Sequence, residues 1–175
     1  MNIKKKMEHK VVRKQESSKR CFICGIENDF GLKVRFFETD NEELVALFTP
    51  QDEHQSYPNR MHGGMSSAIL DETIGRAINT GNNGDMIWGV TTELTLKYRR
   101  PIPLEQELRA VARITSKNAR FFEGEGEILL PNGTVAVSAK GKYFIVQEDK
   151  MVDPEFLENE WGLDMPGENP EKIEY

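Results

Sequence analysis

The chain has 175 residues, of which 38% are hydrophobic and 30% charged, and its formal net charge is −6. This length predicts one domain with a real core, and the composition is typical of a soluble protein. No apolar run approaches the ~18 residues that a membrane helix needs. The basic start precedes no apolar segment, so it is not a secretory signal. We expect a cytoplasmic protein whose two cysteines stay reduced.

The two ends of the chain carry opposite charge. Residues 1–20 contain eight Lys or Arg and two Glu, whereas residues 148–175 contain ten Asp or Glu and two Lys. We interpret them as a basic N-terminal extension and an acidic C-terminal tail flanking one domain at 21–147. The basic arm either is solvated or pairs with an acidic tail of the same or a neighbouring chain. Because the chain is acidic overall and lacks a helix-turn-helix or aromatic–basic strand motif, we expect no nucleic-acid or membrane partner.

The domain begins with a Cys21-x-x-Cys24 pair. Zinc needs four ligands, yet no second such pair exists, and the three histidines lie at no suggestive spacing. A thioredoxin-like pair would open a helix after a strand, whereas this one precedes Gly25 and a loop. We therefore interpret the pair as a structural turn, and we expect no metal and no cofactor.

Patterning predicts an α+β fold. Strands are expected at 32–38 and 43–49, a long helix at 64–79, and four further strands at 87–99, 106–116, 119–130 and 134–147. The segment Gly81-Asn-Asn-Gly84 should end the helix, and Pro131-Asn-Gly133 should turn between the last two strands. Strands around a single helix, followed by hairpin-linked strands, indicate a mostly antiparallel sheet wrapped around that helix.

The most informative motif is His62-Gly63-Gly64, at the start of the predicted helix. Paired glycines let the backbone approach a ligand closely. The first turn of a helix also carries free N–H groups and the positive end of the helix dipole. Such a helix start suits an anion, or an oxygen that becomes anionic during a reaction.

Two adjacent carboxylates lie in the middle of this helix. Glu72 precedes Arg76 by four residues, so these two are expected to form an exposed ion pair. Asp71 instead shares a face with small and apolar residues, which predicts that it points inward. The residues on that face are Gly64, Ser67, Ile74, Gly75 and Ile78. Either Asp71 has a catalytic role or it only bonds a neighbouring backbone group.

Three blocks together resemble the hot-dog-fold acyl-CoA thioesterases of the phenylacetate-pathway (PaaI-like) and THEM type. They are Cys21-Phe-Ile-Cys-Gly-Ile-Glu-Asn-Asp-Phe-Gly-Leu32, His62-Gly-Gly with an acid nine residues on, and Thr91-Thr-Glu-Leu-Thr-Leu-Lys-Tyr-Arg-Arg-Pro-Ile-Pro103. Their order and spacing agree over about residues 21–147. The resemblance implies a curved antiparallel sheet around one helix, and a homodimer or homotetramer with its active site at the subunit interface.

The resemblance also implies roles for individual residues. The Gly63 N–H would polarise the thioester carbonyl of an acyl-CoA, with Gly64 as a second candidate donor. Asp71 of the partner subunit would act as general base or as nucleophile, and Thr91 would orient the attacking water. His62 either positions the loop or transfers a proton. A departure from the pattern is Ser56, where some related enzymes carry a water-positioning Asn; Asn59 lies nearer.

The remaining substrate-binding candidates are less specific. Ser67 and Asn59 lie near the motif, and Arg99 and Arg100 are candidates for the CoA phosphates, since guanidinium groups pair well with phosphate. Three alternatives stay open: a hot-dog protein that binds acyl-CoA without hydrolysing it, a hydroxyacyl-thioester dehydratase, and an interaction module acting through the charged ends. The His-Gly-Gly motif fits the dehydratase poorly, and an inward carboxylate is not needed for binding alone.

Overall fold

The computed structural model describes residues 7–82 and 86–175, so expectations for residues 1–6 and 83–85 lie outside it. The described residues form one sheet of eight antiparallel strands in the order β4-β7-β6-β5-β3-β2-β1-β8. In chain order the elements are β1 (Glu8–Lys14), β2 (Arg35–Thr39), β3 (Leu44–Phe48), α1 (Gly63–Ala77), β4 (Trp88–Tyr98), β5 (Leu108–Lys117), β6 (Phe121–Leu129), β7 (Val135–Val146), α2 (Glu148–Met151), α3 (Pro154–Asn159) and β8 (Lys172–Glu174). The predicted α+β hot-dog architecture is confirmed.

The helix α1 packs closely on the sheet because the strand beneath it carries glycines. A Cβ atom added at Gly124 would come within 2.7 Å of Ile74, and one added at Gly126 within 3.2 Å of Leu70. Ile74, Leu70 and Ile69 of the helix are fully buried in the main core. The helix begins at Gly63, one residue before the predicted start, because the His62 side chain caps it.

The two charged ends of the chain join the sheet through β1 and β8. These strands pair antiparallel, with Glu8 opposite Glu174 and His9 opposite Ile173. Lys172 Nζ also lies 2.6 Å from Glu8 Oε1. Ile173 is buried in a second apolar cluster, on the sheet face away from α1; its other members are Phe37, Val45, Leu47, Val111 and Leu129. Of the alternatives left open by the sequence, pairing with the acidic tail of the same chain is the one found.

The other border of the sheet is the long strand β4. It bonds to β7 on one side only, and most of its 11 residues are exposed. A long open edge of this kind is a template for pairing with another strand. Within the described residues, no helix combines the length and apolar character that crossing a membrane would require.

Candidate active site

The loop before α1 is fixed by two histidines. His54 is buried; its Nδ1 accepts from the Gln51 N–H (2.8 Å), so its Nε2 donates to the Phe30 carbonyl oxygen (3.0 Å). The His62 N–H donates to the His54 carbonyl oxygen (2.8 Å). His62 Nδ1 in turn accepts from the Gly64 N–H (2.9 Å), which makes His62 the N-cap of the helix. The geometry of His62 is therefore that of a positioning residue.

The two glycines of the motif differ in what their N–H groups do. The Gly64 N–H is occupied by His62, so it is not free to bind a substrate oxygen. The Gly63 N–H has no acceptor among the described residues. The His62 carbonyl oxygen, in the same peptide unit as the Gly63 N–H, accepts from the Met65 N–H (3.0 Å), and the Tyr98 hydroxyl donates to the Gly63 carbonyl oxygen of the next unit (3.1 Å). Gly63 is thus the one glycine of the pair that offers a donor at the helix start.

A groove of about 300 Å³ opens beside Gly63. Arg99 and Arg100 line it, both are exposed, and each donates one hydrogen bond or more to a neighbouring strand or backbone group. Tyr98 and the buried Ser66, which sequence reasoning missed, line it as well. The predicted Ser67 instead bonds the Tyr98 hydroxyl (2.8 Å).

Asn59 does not line this groove. It lies in the exposed turn before α1 with a φ of 59°, and its N–H donates to Gln55 Oε1 (2.8 Å). A left-handed backbone conformation is one that Asn tolerates better than most residues. Asn59 therefore shapes the turn, and it lies apart from the groove beside Gly63.

Asp71 lies two helical turns further along α1, half-buried against the sheet. Its Oδ1 accepts from the Thr91 hydroxyl (2.7 Å) and from the Tyr143 hydroxyl (3.1 Å). A β-bulge between Thr91 and Glu93 separates the two neighbouring threonines. Thr92 turns to the Lys142 carbonyl oxygen (3.0 Å), so Thr91 is the threonine that faces the acid. Gly64 belongs to the helix face that we predicted to be packed, but it is exposed. The prediction of an inward face therefore does not hold at the start of the helix.

Tyr143 is a residue of this site that the sequence did not single out. It stacks on Phe122 (ring centroids 4.8 Å apart) and also donates to the Asp71 backbone carbonyl oxygen (2.9 Å). Burial, and after it the Asp71 charge, raises the pKa of Tyr143 far above its usual value, so it stays a donor at neutral pH. The available signal was alternation in β7, which puts Tyr143 on the inward face with Ala139 and Gly141.

Gly63 and Asp71 of one chain do not face a common groove. They are eight residues apart on α1, which corresponds to about 12 Å along a helix. Asp71 and Thr91 line a separate groove of about 170 Å³, with Trp88 and Trp161 among its walls. A single chain therefore carries two halves of the predicted constellation rather than one complete set.

The Glu72–Arg76 pair forms as predicted but is not exposed, which corrects that expectation. Arg76 Nε lies 2.6 Å from Glu72 Oε1, and Arg76 is only 7% exposed. Its guanidinium packs over the Phe36 ring (4.6 Å) and the Trp161 ring (5.1 Å). Helical spacing predicted the ion pair between Glu72 and Arg76 correctly. It could not predict that other segments of the chain cover this side of the helix.

Comparison with known proteins shows which family this region is similar to. Residues 59–137, which contain Gly63, Asp71 and Thr91, match the sequence profile described as "Thioesterase superfamily". Over these residues the chain is similar to the thioesterase superfamily. The resemblance to hot-dog thioesterases, drawn from three sequence blocks, is thereby confirmed.

Three known proteins are similar to the chain over a longer stretch. A Schizosaccharomyces pombe protein, named only as uncharacterised, is 29% identical over 118 residues, 66% of each chain. The solved thioesterase superfamily protein RHA08564 is 28% identical, with a TM-score of 0.64 over 72% of this chain and 60% of its own. A Bacillus halodurans protein solved with CoA is 23% identical, with a TM-score of 0.59 over 67% of this chain and 76% of its own. The chain thus spans slightly less than two thirds of the first two relatives.

Proposed function

We propose that the protein is a thioesterase that hydrolyses acyl-CoA to a free acid and CoA. The observation that carries this proposal is that α1 presents two functional groups. One is the free Gly63 N–H at its start, and the other is the Asp71 carboxylate, which accepts hydrogen bonds from the Thr91 and Tyr143 hydroxyls. The similarity of residues 59–137 to the superfamily supports thioester hydrolysis in general. The roles of individual residues and the CoA moiety are the finer parts of the proposal.

The Gly63 N–H would polarise the thioester carbonyl. A backbone donor at a helix start carries part of the positive end of the helix dipole, and it needs no reorganisation as negative charge develops on the carbonyl oxygen. Loss of one such donor typically costs about 10²–10³ in rate. The Met65 N–H donates to the His62 carbonyl oxygen (3.0 Å), and this bond supports the role because it fixes the peptide unit that carries the Gly63 N–H.

Asp71 would activate the water that attacks the carbonyl carbon. Thr91 and Tyr143 both donate to Oδ1, which leaves Oδ2 as the oxygen able to accept a proton from water. The two donors also fix the orientation of the carboxylate, as a general base requires. The same geometry suits direct attack by Asp71 through Oδ2, so the base and nucleophile roles are both retained.

The reaction would take place between two copies of the chain. Because Gly63 and Asp71 lie about 12 Å apart along one helix, a carbonyl held at Gly63 would be approached by Asp71 of the partner subunit. The open edge of β4 is the surface on which two chains would pair, giving a continuous sheet and two equivalent sites. We propose a homodimer, or a homotetramer built from such dimers.

The groove beside Gly63 would hold the CoA moiety. Arg99 and Arg100 are exposed at its rim, and guanidinium groups bind phosphate with bidentate geometry. The CoA bound by the Bacillus halodurans protein of similar fold supports this choice of thioester. A cytoplasmic location, where acyl-CoA is made and used, stays a prediction.

The test is release of free thiol from a panel of short, long and aryl acyl-CoAs by wild type and by Asp71→Asn. Asp29→Asn, an exposed position outside both grooves, is the matched control. We expect hydrolysis by wild type and by the control, and its loss in Asp71→Asn with the fold retained. Binding of acyl-CoA without thiol release from any member of the panel would instead favour a non-catalytic acyl-CoA-binding protein.

A further inference from the structure

The Cys21-x-x-Cys24 pair contacts the side of α1 and takes no part in the proposed hydrolysis. Cys24 is completely buried, whereas Cys21 is partly exposed. The N–H groups of Ile23 and Cys24 both point at Cys21 Sγ, at 3.3 and 3.4 Å. Arg76 Nη2 lies 3.1 Å from Cys24 Sγ. Cys24 therefore faces a cation that stabilises a thiolate, as reactive cysteines do, while the Glu72 carboxylate lies within 4.8 Å of both sulfurs.

The two thiols also interact with each other. The hydrogen bond from the Cys21 thiol and the Arg76 charge lower the pKa of Cys24 to about 6, against the effect of burial. The same hydrogen bond, together with burial, raises the pKa of Cys21 well above its usual value. The hydrogen bond and the Arg76 charge therefore favour a state with the proton on Cys21 and the negative charge on Cys24.

We propose that Cys21 and Cys24 form a redox-active pair that a small-molecule disulfide oxidises to an internal disulfide. The local geometry replaces what a helix start supplies in other Cys-x-x-Cys sites. Here two backbone N–H groups serve Cys21, and a buried guanidinium serves Cys24. The sequence argued against a redox role because no helix begins at the pair. These donors provide the stabilisation of negative charge that a helix start would otherwise provide.

The small-molecule disulfide is the oxidant in this exchange. The Cys21 proton passes to Cys24, and the Cys21 thiolate attacks the disulfide RSSR, so that a mixed Cys21–S–S–R bond forms and RS⁻ leaves. That RS⁻ takes the proton from Cys24. The Cys24 thiolate then attacks the Cys21 sulfur, the internal disulfide forms, and a second RS⁻ leaves and takes one proton from water. The cysteines lose two electrons, and RSSR gains them as two RSH.

A metal site is the main rival for this cluster. The sulfurs of Cys21 and Cys24 and a Glu72 carboxylate oxygen lie within 4.8 Å of one another, which is compatible with three metal ligands. However, the Arg76 guanidinium already contacts both Cys24 and Glu72, at 3.1 and 2.6 Å. A divalent cation would have to displace this buried cation, so the arrangement favours a thiolate paired with arginine.

Oxidation would change the surroundings of the Asp71 groove. Arg76 and Glu72 line that groove together with Asp71, and the disulfide would remove the thiolate charge that Arg76 contacts. Arg76 would then keep Glu72 and the Glu16 carbonyl oxygen as its close acceptors. The redox state of a turn some fifty positions earlier in the chain would thus alter the charge balance beside the candidate catalytic acid.

The test uses the full, folded chain equilibrated in buffers of stepped ratios of oxidised to reduced glutathione. After an acid quench, free thiols are tagged with a maleimide and counted by intact mass, with the urea-unfolded reduced chain giving the total. We expect wild type to pass from two tags to none in a single transition without a glutathione adduct. Cys24→Ser should accumulate a glutathione adduct on Cys21, because the resolving thiol is absent.

Three results would overturn the proposal. The first is retention of both tags at the most oxidising ratio. The second is a wild-type protein that ends as a stable glutathione adduct, because the internal bond would then not form. The third is binding of one equivalent of zinc by the reduced chain, with protection of both thiols from the tag, which would assign the cluster to a metal instead. Because no readout depends on hydrolysis, failure of the proposed thioesterase activity would leave this test unaffected.

Discussion

The Thr91 hydroxyl donates a 2.7 Å hydrogen bond to Asp71, across the space between the edge strand β4 and the central helix. This bond joins the strand that borders the proposed subunit interface to the only carboxylate that we assign to catalysis. The bulge at this point of β4 separates Thr91 from Thr92 and directs the two hydroxyls to different partners. Bulges often re-aim a side chain beside an active site in this way.

Replacing Thr91 by Val should lower the rate of hydrolysis while the fold is kept. The change removes a hydrogen bond to a charged group and nearly preserves shape, so kcat should fall about 10- to 100-fold. Thr92→Val is the matched control, since its hydroxyl bonds a backbone oxygen away from Asp71. Thiol-release kinetics on both variants make the comparison. Equal losses in the two would count against an orienting role for Thr91.

Two substitutions of His62 should separate positioning from proton transfer. His62→Ala removes the acceptor of the Gly64 N–H and should cost about 1 kcal/mol of stability, as loss of an N-cap does. His62→Asn keeps a side-chain oxygen that can cap the helix, so it should retain both stability and most of the activity. Urea unfolding and thiol release measure the two effects. An Asn variant that is stable but as inactive as the Ala variant would indicate proton transfer.

Gly124→Ala should destabilise the fold, because α1 lies directly over this position. The added Cβ would lie 2.7 Å from Ile74 and 2.9 Å from the Arg113 carbonyl oxygen, and a backbone atom cannot move aside cheaply. Overpacking of this kind costs about 1–3 kcal/mol. The neighbouring exposed position supplies the control, Glu123→Ala, which should stay within about 0.5 kcal/mol. The free energy of unfolding in urea decides the comparison, and similar values would contradict the close packing of helix and strand.

The stability of the reduced protein should rise with pH through the neutral range. The pKa of Cys24 is lowered from 9.0 to about 6 in the folded state, so the folded chain loses this proton at lower pH than the unfolded chain. The stabilisation is therefore complete only above the unfolded value and is lost as the pH falls through about 6. Thermal unfolding in the presence of a reductant should show this slope in wild type and lack it in Cys24→Ser. The same slope in both would assign it to other groups.

The sequence predicted the elements that rest on local patterns. Alternation located six of the eight strands, β2 to β7, and the His-Gly-Gly motif located the helix start within one residue. Strand β1 lies in residues that we had interpreted as a basic extension. The Thr91–Asp71 contact joins two residues that both lie within the motifs carrying the family resemblance. The assignment of catalytic roles to these residues stays a prediction until the variants are measured.

Contacts between distant segments were beyond the reach of these patterns. Tyr143 bonds a carboxylate 72 residues earlier, and Arg76 contacts a cysteine 52 residues earlier. Strand β8 has three residues and is rich in charge, so nothing local distinguishes it from a solvated tail. Its pairing with β1 joins positions more than 160 residues apart. Such contacts are determined by the whole fold. The periodicity within one segment carries no information about which distant segment it will contact.

The β1–β8 pairing also determines where the protein can be held in an experiment. Met7 and Tyr175 exchange two backbone hydrogen bonds, of 2.8 and 3.0 Å, so these two residues lie at the same corner of the sheet. This corner borders the sheet on the side opposite β4. Attaching the protein to a sensor surface through Met7 or Tyr175 should leave the β4 edge accessible to a second copy. Pulling on Met7 and Tyr175 together would instead open the β1–β8 ladder one bond at a time, which is the weakest geometry for resisting force.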